Sequence, residues 1–218
     1  MKQTITKSNP ATFYIVRHGE TAWNAKRILQ GQIDIPLNEV GEKQAKEIAE
    51  IMSSTHFDLA FSSDLLRAHR TTDVIVAERN MAVEATESLR ERKFGKFEGN
   101  PTKEYFKYLE LLQHVSHDER FKHKQAEDFE SDEEFSSRVV TFLRETAVAN
   151  PGKNILIGAH GGVIFVLLLK LGYFTYEQAD NHRVRNTGYI KLRSDGVEFE
   201  VLEVPGIEKR TLKKQQTM

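Results

Sequence analysis

Two His-Gly pairs in this chain each follow a short apolar run. His18-Gly19 comes after Phe13-Tyr14-Ile15-Val16-Arg17, and His160-Gly161 comes shortly after Ile155-Leu156-Ile157. Aromatic and β-branched residues in short runs read as buried strands, and a glycine after them lets the backbone turn sharply. In an open α/β sheet the carboxyl ends of strands are where ligands bind. Two more polar blocks can converge there: Ser62 to Arg67, after the apolar Leu59-Ala60-Phe61, and Arg90-Glu91-Arg92. The set Arg17, His18, Arg67, Glu91 and His160 is a poor metal site, because cations among the ligands repel a metal ion. The same set suits a phosphoryl dianion, to which guanidinium groups bond with charge assistance and often in pairs. A neutral imidazole can attack phosphorus and divide hydrolysis into two easier steps, and a carboxyl group can protonate the leaving alkoxide.

Plainer readings compete for several of these residues. Arg67 also reads as a helix-surface arginine, and Glu91 among Arg90, Arg92 and Lys93 as part of a solvated ion-pair cluster. His114, His117 and His123 match no ligand template and lie in a polar stretch, so they read as surface residues. His69 and His182 read as structural or exposed.

Composition narrows the class. The chain has 218 residues, 39% hydrophobic and 29% charged, with a formal net charge of -1 and no cysteine. No global basic field exists to recruit nucleic acid or an anionic membrane, so neither is an expected partner. Disulfides, thiolate nucleophiles and cysteine-based zinc sites are excluded, which fits a reducing cytoplasm. The longest apolar run, Val163 to Leu169, is too short to span a bilayer. The expectation is a cytoplasmic soluble protein.

The elements that must position the site follow from periodicity. Thr21 to Ile35 lacks a period and reads as mostly loop. Asn38 is placed to cap a helix to about Ser53, with Val40, Ala45, Ile48, Ala49 and Met52 on its apolar face. Asp64 is placed to cap a helix from Leu65 to about Glu78, and Ala82-Val83-Glu84 reads as a short strand. Leu89 to Gly99 reads as irregular loop, Thr102 to Leu112 as helix, and His114 to Glu130 as a lid-like stretch. Ser131 to Glu134 is a capping box that opens a helix ending before Pro151. Val163 to Leu171 is apolar all round and reads as a buried helix closing at Gly172, and Ser194-Asp195-Gly196 marks a hairpin. The pattern predicts a three-layer α/β/α domain with a mostly parallel central sheet and an antiparallel edge. It would span 1–206 as a single domain with an insertion at about 101–130, followed by a polar, disordered tail over 207–218.

The blocks together resemble a known family. Arg17-His18-Gly19-Glu20 with Thr21 and Trp23-Asn24, then Gly31 to Leu37, Ser62 to Ala68, Leu89 to Gly95 and Ala159-His160-Gly161-Gly162 resemble, in order, the histidine phosphatase (phosphoglycerate mutase-like) superfamily. The resemblance implies the phosphoglycerate mutase-like fold and a phosphomonoesterase acting on small phosphorylated metabolites. It implies that His18 is the nucleophile, that Arg17, Arg67 and His160 hold the phosphoryl group, and that Glu91 is the general acid. Asn24, Gln30, Gly31 and Gly161 match positions lining the phosphate pocket, and no metal or organic cofactor is implied. The phosphatase branch is the nearer match: the mutases resemble this chain less at Thr21, at Asp34-Ile35-Pro36-Leu37 and in the length between Glu91 and His160. The chain departs from the pattern at Phe129-Glu130-Ser131, where Gly often precedes Glu-Ser, and at Phe165, where an arginine is common. Mutase-type phosphoryl transfer is the first alternative, and an inactive phosphate-binding or interaction module the second.

Overall fold

A computed structural model of the chain describes residues 9–179 and 182–209. The first strand, β1 (Ala11–Arg17), is followed by a short helix, α1 (Ala22–Ala25), and a long one, α2 (Glu39–Ile51). Then come β2 (Leu59–Ser63), α3 (Leu66–Val76) and β3 (Val83–Thr86), with two 3₁₀ turns in the loop beyond. The insertion carries α4 (Thr102–Leu111) and α5 (His117–Lys122) and leads into α6 (Asp132–Ala149), β4 (Asn154–Ala159) and α7 (Gly161–Lys170). The chain continues with α8 (Tyr176–Ala179), β5 (His182–Val184), β6 (Tyr189–Ser194), β7 (Phe199–Glu203) and β8 (Ile207–Lys209).

The central sheet has the order β3-β2-β4-β1-β6-β7. Its β3-β2, β2-β4 and β4-β1 pairs are parallel, and β6 and β7 add the antiparallel edge. Alternation along the central strands divides the core. Phe13, Ile15, Ile155 and Ile157 pack with α6 and α7 through Phe135, Val139, Leu143, Val163 and Leu167. The intervening Val16 and Leu156 pack on the other face with Ile48, Met52, Ile75 and Val76 from α2 and α3. A period of two along each strand thus places helices on both faces. A third apolar cluster, Phe94, Phe97 and Phe129 with Tyr105 and Tyr108, ties the insertion to the loop after β3.

Several expectations change. Asp64 does not cap α3; it forms a bidentate ion pair with Arg90, and Asp34 accepts the Leu66 N–H at 2.9 Å instead. The pair with Arg90 fixes the Asp64 carboxylate away from the helix N–H groups, and Asp34 reaches them from a distant loop. Val40 lies on the solvent side of α2, half exposed. The loop from Thr21 contains α1, closed by a capping box between Thr21 and Asn24, and the stretch from His114 contains α5. Ile207–Lys209, expected to belong to the tail, pairs antiparallel with β5; residues 210–218 lie outside the described residues.

Candidate active site

Backbone register brings the two His-Gly turns together. In the parallel pair of β1 and β4, Arg17 stands opposite Ala159, and the His18 N–H donates to the Ala159 carbonyl at 3.0 Å. His18 and His160 therefore leave neighbouring strand ends side by side, with ring centroids 5.3 Å apart and an interplanar angle of 61°. After His18 the chain passes so close to α2 that a Cβ on Gly19 would lie 2.5 Å from the Gly41 carbonyl oxygen. Only glycine permits that approach. The Gly19 N–H donates to Thr71 Oγ1 at 3.1 Å, and Asn186 Nδ2 donates to the His18 carbonyl, also at 3.1 Å.

His18 Nδ1 lies 2.6 Å from the Gly19 carbonyl oxygen, which can only accept. The proton therefore sits on Nδ1, and Nε2 carries the lone pair. Desolvation holds the His18 pKa well below 6.5, assisted by Arg67 and Arg17 and opposed by the bond to Gly19. His160 is held low by desolvation first and then by Arg67. Both rings are neutral at pH 7.

Arg67, on the first turn of α3, is completely buried and donates to the carbonyls of Gly31 at 2.7 Å and Ile33 at 2.9 Å. Arg17 donates through Nη1 to the Val184 carbonyl at 2.5 Å. Burial, the largest cause, pulls both guanidinium pKa values down to about 10, so both stay charged at neutral pH. Four buried nitrogens here have no protein partner: Nε of Arg17, Nε of Arg67, and Nδ1 and Nε2 of His160. Leaving a buried polar group unpaired costs on the order of 1–3 kcal/mol. A cluster of such groups fits a place built for an anion, not a packed core.

Glu91 closes the site from the loop after β3. Its Oε2 accepts the Gly162 N–H at 3.0 Å and its Oε1 accepts the Arg92 N–H at 2.8 Å. A Cβ on Gly162 would lie 2.0 Å from Oε1, so a side chain here would displace the Glu91 carboxyl group. The basic neighbours of Glu91 turn elsewhere, Arg90 to Asp64 and Arg92 to Asp132. Arg138 and Gln32 both donate to the Glu91 carbonyl, at 3.0 and 3.2 Å.

The model for "Histidine phosphatase superfamily (branch 1)" matches residues 13–205. The chain belongs to that superfamily. It is 34% identical over 157 residues to a protein of Bacillus subtilis named "Uncharacterized phosphatase PhoE", covering 72% of this chain and 75% of that one. A Saccharomyces cerevisiae protein named "Broad-specificity phosphatase YOR283W" is 32% identical over 188 residues, covering 81% and 76%. Among solved structures, a phosphoglycerate mutase from Bacillus anthracis superposes with a TM-score of 0.75 at 26% identity, covering 90% of this chain and 93% of that one. The histidine phosphatase superfamily acts generally on small phosphorylated metabolites, as phosphomonoesterases and mutases.

Measured against the sequence reading, this histidine phosphatase brings Arg17, His18, Arg67, Glu91, His160 and Gly161 into one cluster, with Arg17 Nε 3.3 Å from where a Gly161 Cβ would be. Gly31 contributes its carbonyl to Arg67. Asn24 Oδ1 accepts the Thr21 N–H, and Gln30 Oε1 accepts the Thr21 hydroxyl at 3.0 Å. Glu20 is spent on Asn38, whose Nδ2 donates to it at 2.9 Å.

Sequence reasoning pointed to the outer wall of the site only through Phe165 and the insertion at about 101–130. A cavity of about 300 Å³ is lined by Arg17, Gly161 and Gly162 together with Arg92, Tyr105, Phe165 and Arg183. His117 and His123 pack their rings near Tyr176 and Tyr108. Among the described residues no group of three or more His, Asp or Glu stands together as metal ligands, and no helix is long and apolar enough to cross a membrane.

Proposed function

We propose that this histidine phosphatase hydrolyses phosphate monoesters of small alcohols through a phosphohistidine on His18. The observation that carries the reading is the lone pair on His18 Nε2 beside buried, unpartnered nitrogens of Arg17, Arg67 and His160. The Nε2 lone pair attacks phosphorus while the phosphorus–ester oxygen bond breaks and its electron pair goes to the leaving oxygen. That oxygen takes the proton of the Glu91 carboxyl, and the alcohol departs. Water then attacks phosphorus, gives a proton to the Glu91 carboxylate, and the phosphorus–nitrogen bond breaks back onto His18, releasing phosphate. Charge grows on the equatorial oxygens at each step, and pre-placed guanidinium groups stabilise it without reorganising. The name of the yeast relative supports hydrolysis of more than one ester.

The experiment is a trapping assay. A phosphate ester labelled with ³²P and quenched in base should leave acid-labile label on the protein, and His18→Ala should remove it. Label persisting in that variant would overturn the assignment. Isomerisation of 3-phosphoglycerate that depends on a bisphosphorylated primer, without phosphate release, would instead establish the mutase reading. Absence of turnover across a broad ester panel would leave only a binding module.

A further inference from the structure

The cavity of about 300 Å³ shares Arg17, Gly161 and Gly162 with the cluster around His18, but the proposed reaction uses none of its other walls. Because Arg17, Gly161 and Gly162 line the cavity, an ester held by Arg17 extends its alcohol portion into it. Small-molecule sites span roughly 300–1,000 Å³, so this one takes a compact group of one or two rings. Its walls are largely carbon: Leu29, Phe94, Tyr105 and Phe106 from one side, Phe165 and Val166 from α7. Burial raises the Tyr105 pKa to about 12, so that phenol stays neutral.

The buried cations that reach the same space already have partners, and Arg183 is largely exposed. Arg92 is ion-paired with Asp132, whose other oxygen accepts the Tyr176 hydroxyl at 2.7 Å. Arg120 lies 4.0 Å from the centre of the Tyr176 ring, and Arg183 pairs with Glu208 at 3.0 Å. An anionic leaving group that engages Arg92 competes with Asp132 for its guanidinium, which weakens a largely buried pair. An apolar leaving group asks for no such exchange; it displaces water from aromatic faces.

We propose that this cavity is the leaving-group subsite and that Phe165 makes it select phosphate monoesters of apolar, ring-bearing alcohols over esters carrying a second anionic group. The inference rests on the phosphatase reading above.

The test compares esters of alkyl alcohols, so that leaving-group basicity stays close: 2-phenylethyl phosphate, ethyl phosphate and 3-phosphoglycerate. The wild-type kcat/KM for 2-phenylethyl phosphate should exceed that for ethyl phosphate and for 3-phosphoglycerate by tenfold or more, chiefly through KM. Phe165→Ala should cut the ratio of 2-phenylethyl to ethyl phosphate at least fivefold. Phe165→Arg should reverse the order between 2-phenylethyl phosphate and 3-phosphoglycerate, and Phe106→Ala serves as a second ratio measurement if Phe165→Arg does not fold. Equal or better use of 3-phosphoglycerate by the wild type, or ratios unmoved in the variants, would overturn this inference while leaving the phosphatase intact. No turnover of any of the three, with no label trapped on His18, would overturn the phosphatase reading and this inference with it.

Discussion

The His18 and His160 rings meet edge to face, 5.3 Å between centroids, each hanging from the end of one of two hydrogen-bonded parallel strands. Neither ring is free to retreat, since both are buried and β1 and β4 fix their backbones. The electrostatic cost of that arrangement is visible in their titration. Desolvation holds both below their ordinary value of 6.5, and Arg67 is the largest charged contributor for each.

This makes the fold acid-sensitive in a defined direction. Below pH 6.5 the unfolded chain takes up protons on both imidazoles while the folded chain does not. The unfolded state then binds more protons, so stability falls as pH drops from about 6.5 toward the folded pKa values, by up to about 1.4 kcal/mol per pH unit for each ring. Urea denaturation at pH 7 and pH 5 should show the loss, and His160→Asn should lose less than the wild type. The same acid dependence in His160→Asn and His18→Asn would place its origin in other groups.

The contact of Glu91 with the start of α7 gives a second expectation. If Glu91 supplies the leaving-group proton, Glu91→Gln should lower kcat for ethyl phosphate by roughly 10²–10⁴-fold and far less for 4-nitrophenyl phosphate, whose phenolate leaves unaided. Gly162→Ala should show the same selectivity, because the new Cβ would fall 2.0 Å from Glu91 Oε1 and push the carboxyl aside. Equal losses on the two esters would move the proton donor to another residue.

Stability should depend on the pair beside the cavity. The Arg92 and Asp132 side chains are 11% and 15% exposed, so solvent screens them little. Asp132→Ala leaves the Arg92 guanidinium buried without its carboxylate and the Tyr176 hydroxyl without its acceptor. A cost of about 3–5 kcal/mol is expected, read by chemical denaturation. A change below about 1 kcal/mol would mean that water reaches Arg92 readily.

Much of the sheet and of the inner cluster could be read from the chain, for a physical reason. Val16 and Ala159 end runs whose apolar character is dictated by burial on both faces, and His18 and His160 come within two residues of those ends. What escaped was set by contacts between distant segments. Asp64 had the right type and place to cap α3, but the bidentate pair with Arg90 claimed it, and Asp34 took over from 32 residues away. Arg92 read as one more solvated cation beside Glu91, whereas Asp132, 40 residues on, draws it inward. β5 and β8 have three residues each, too few for any period to show, yet β5 delivers the Val184 carbonyl to Arg17.

The division between strand ends and walls has an evolutionary side. The groups assigned to phosphorus come from β1, α3, the loop before α4 and the start of α7, where Gly19 and Gly41 bring backbone against backbone. Phe94, Tyr105 and Phe106 come from surface chain between β3 and α6, tied to the body through its own aromatic cluster. On the proposed mechanism, rewriting that stretch and position 165 would change the alcohol preferred without touching the groups assigned to phosphorus.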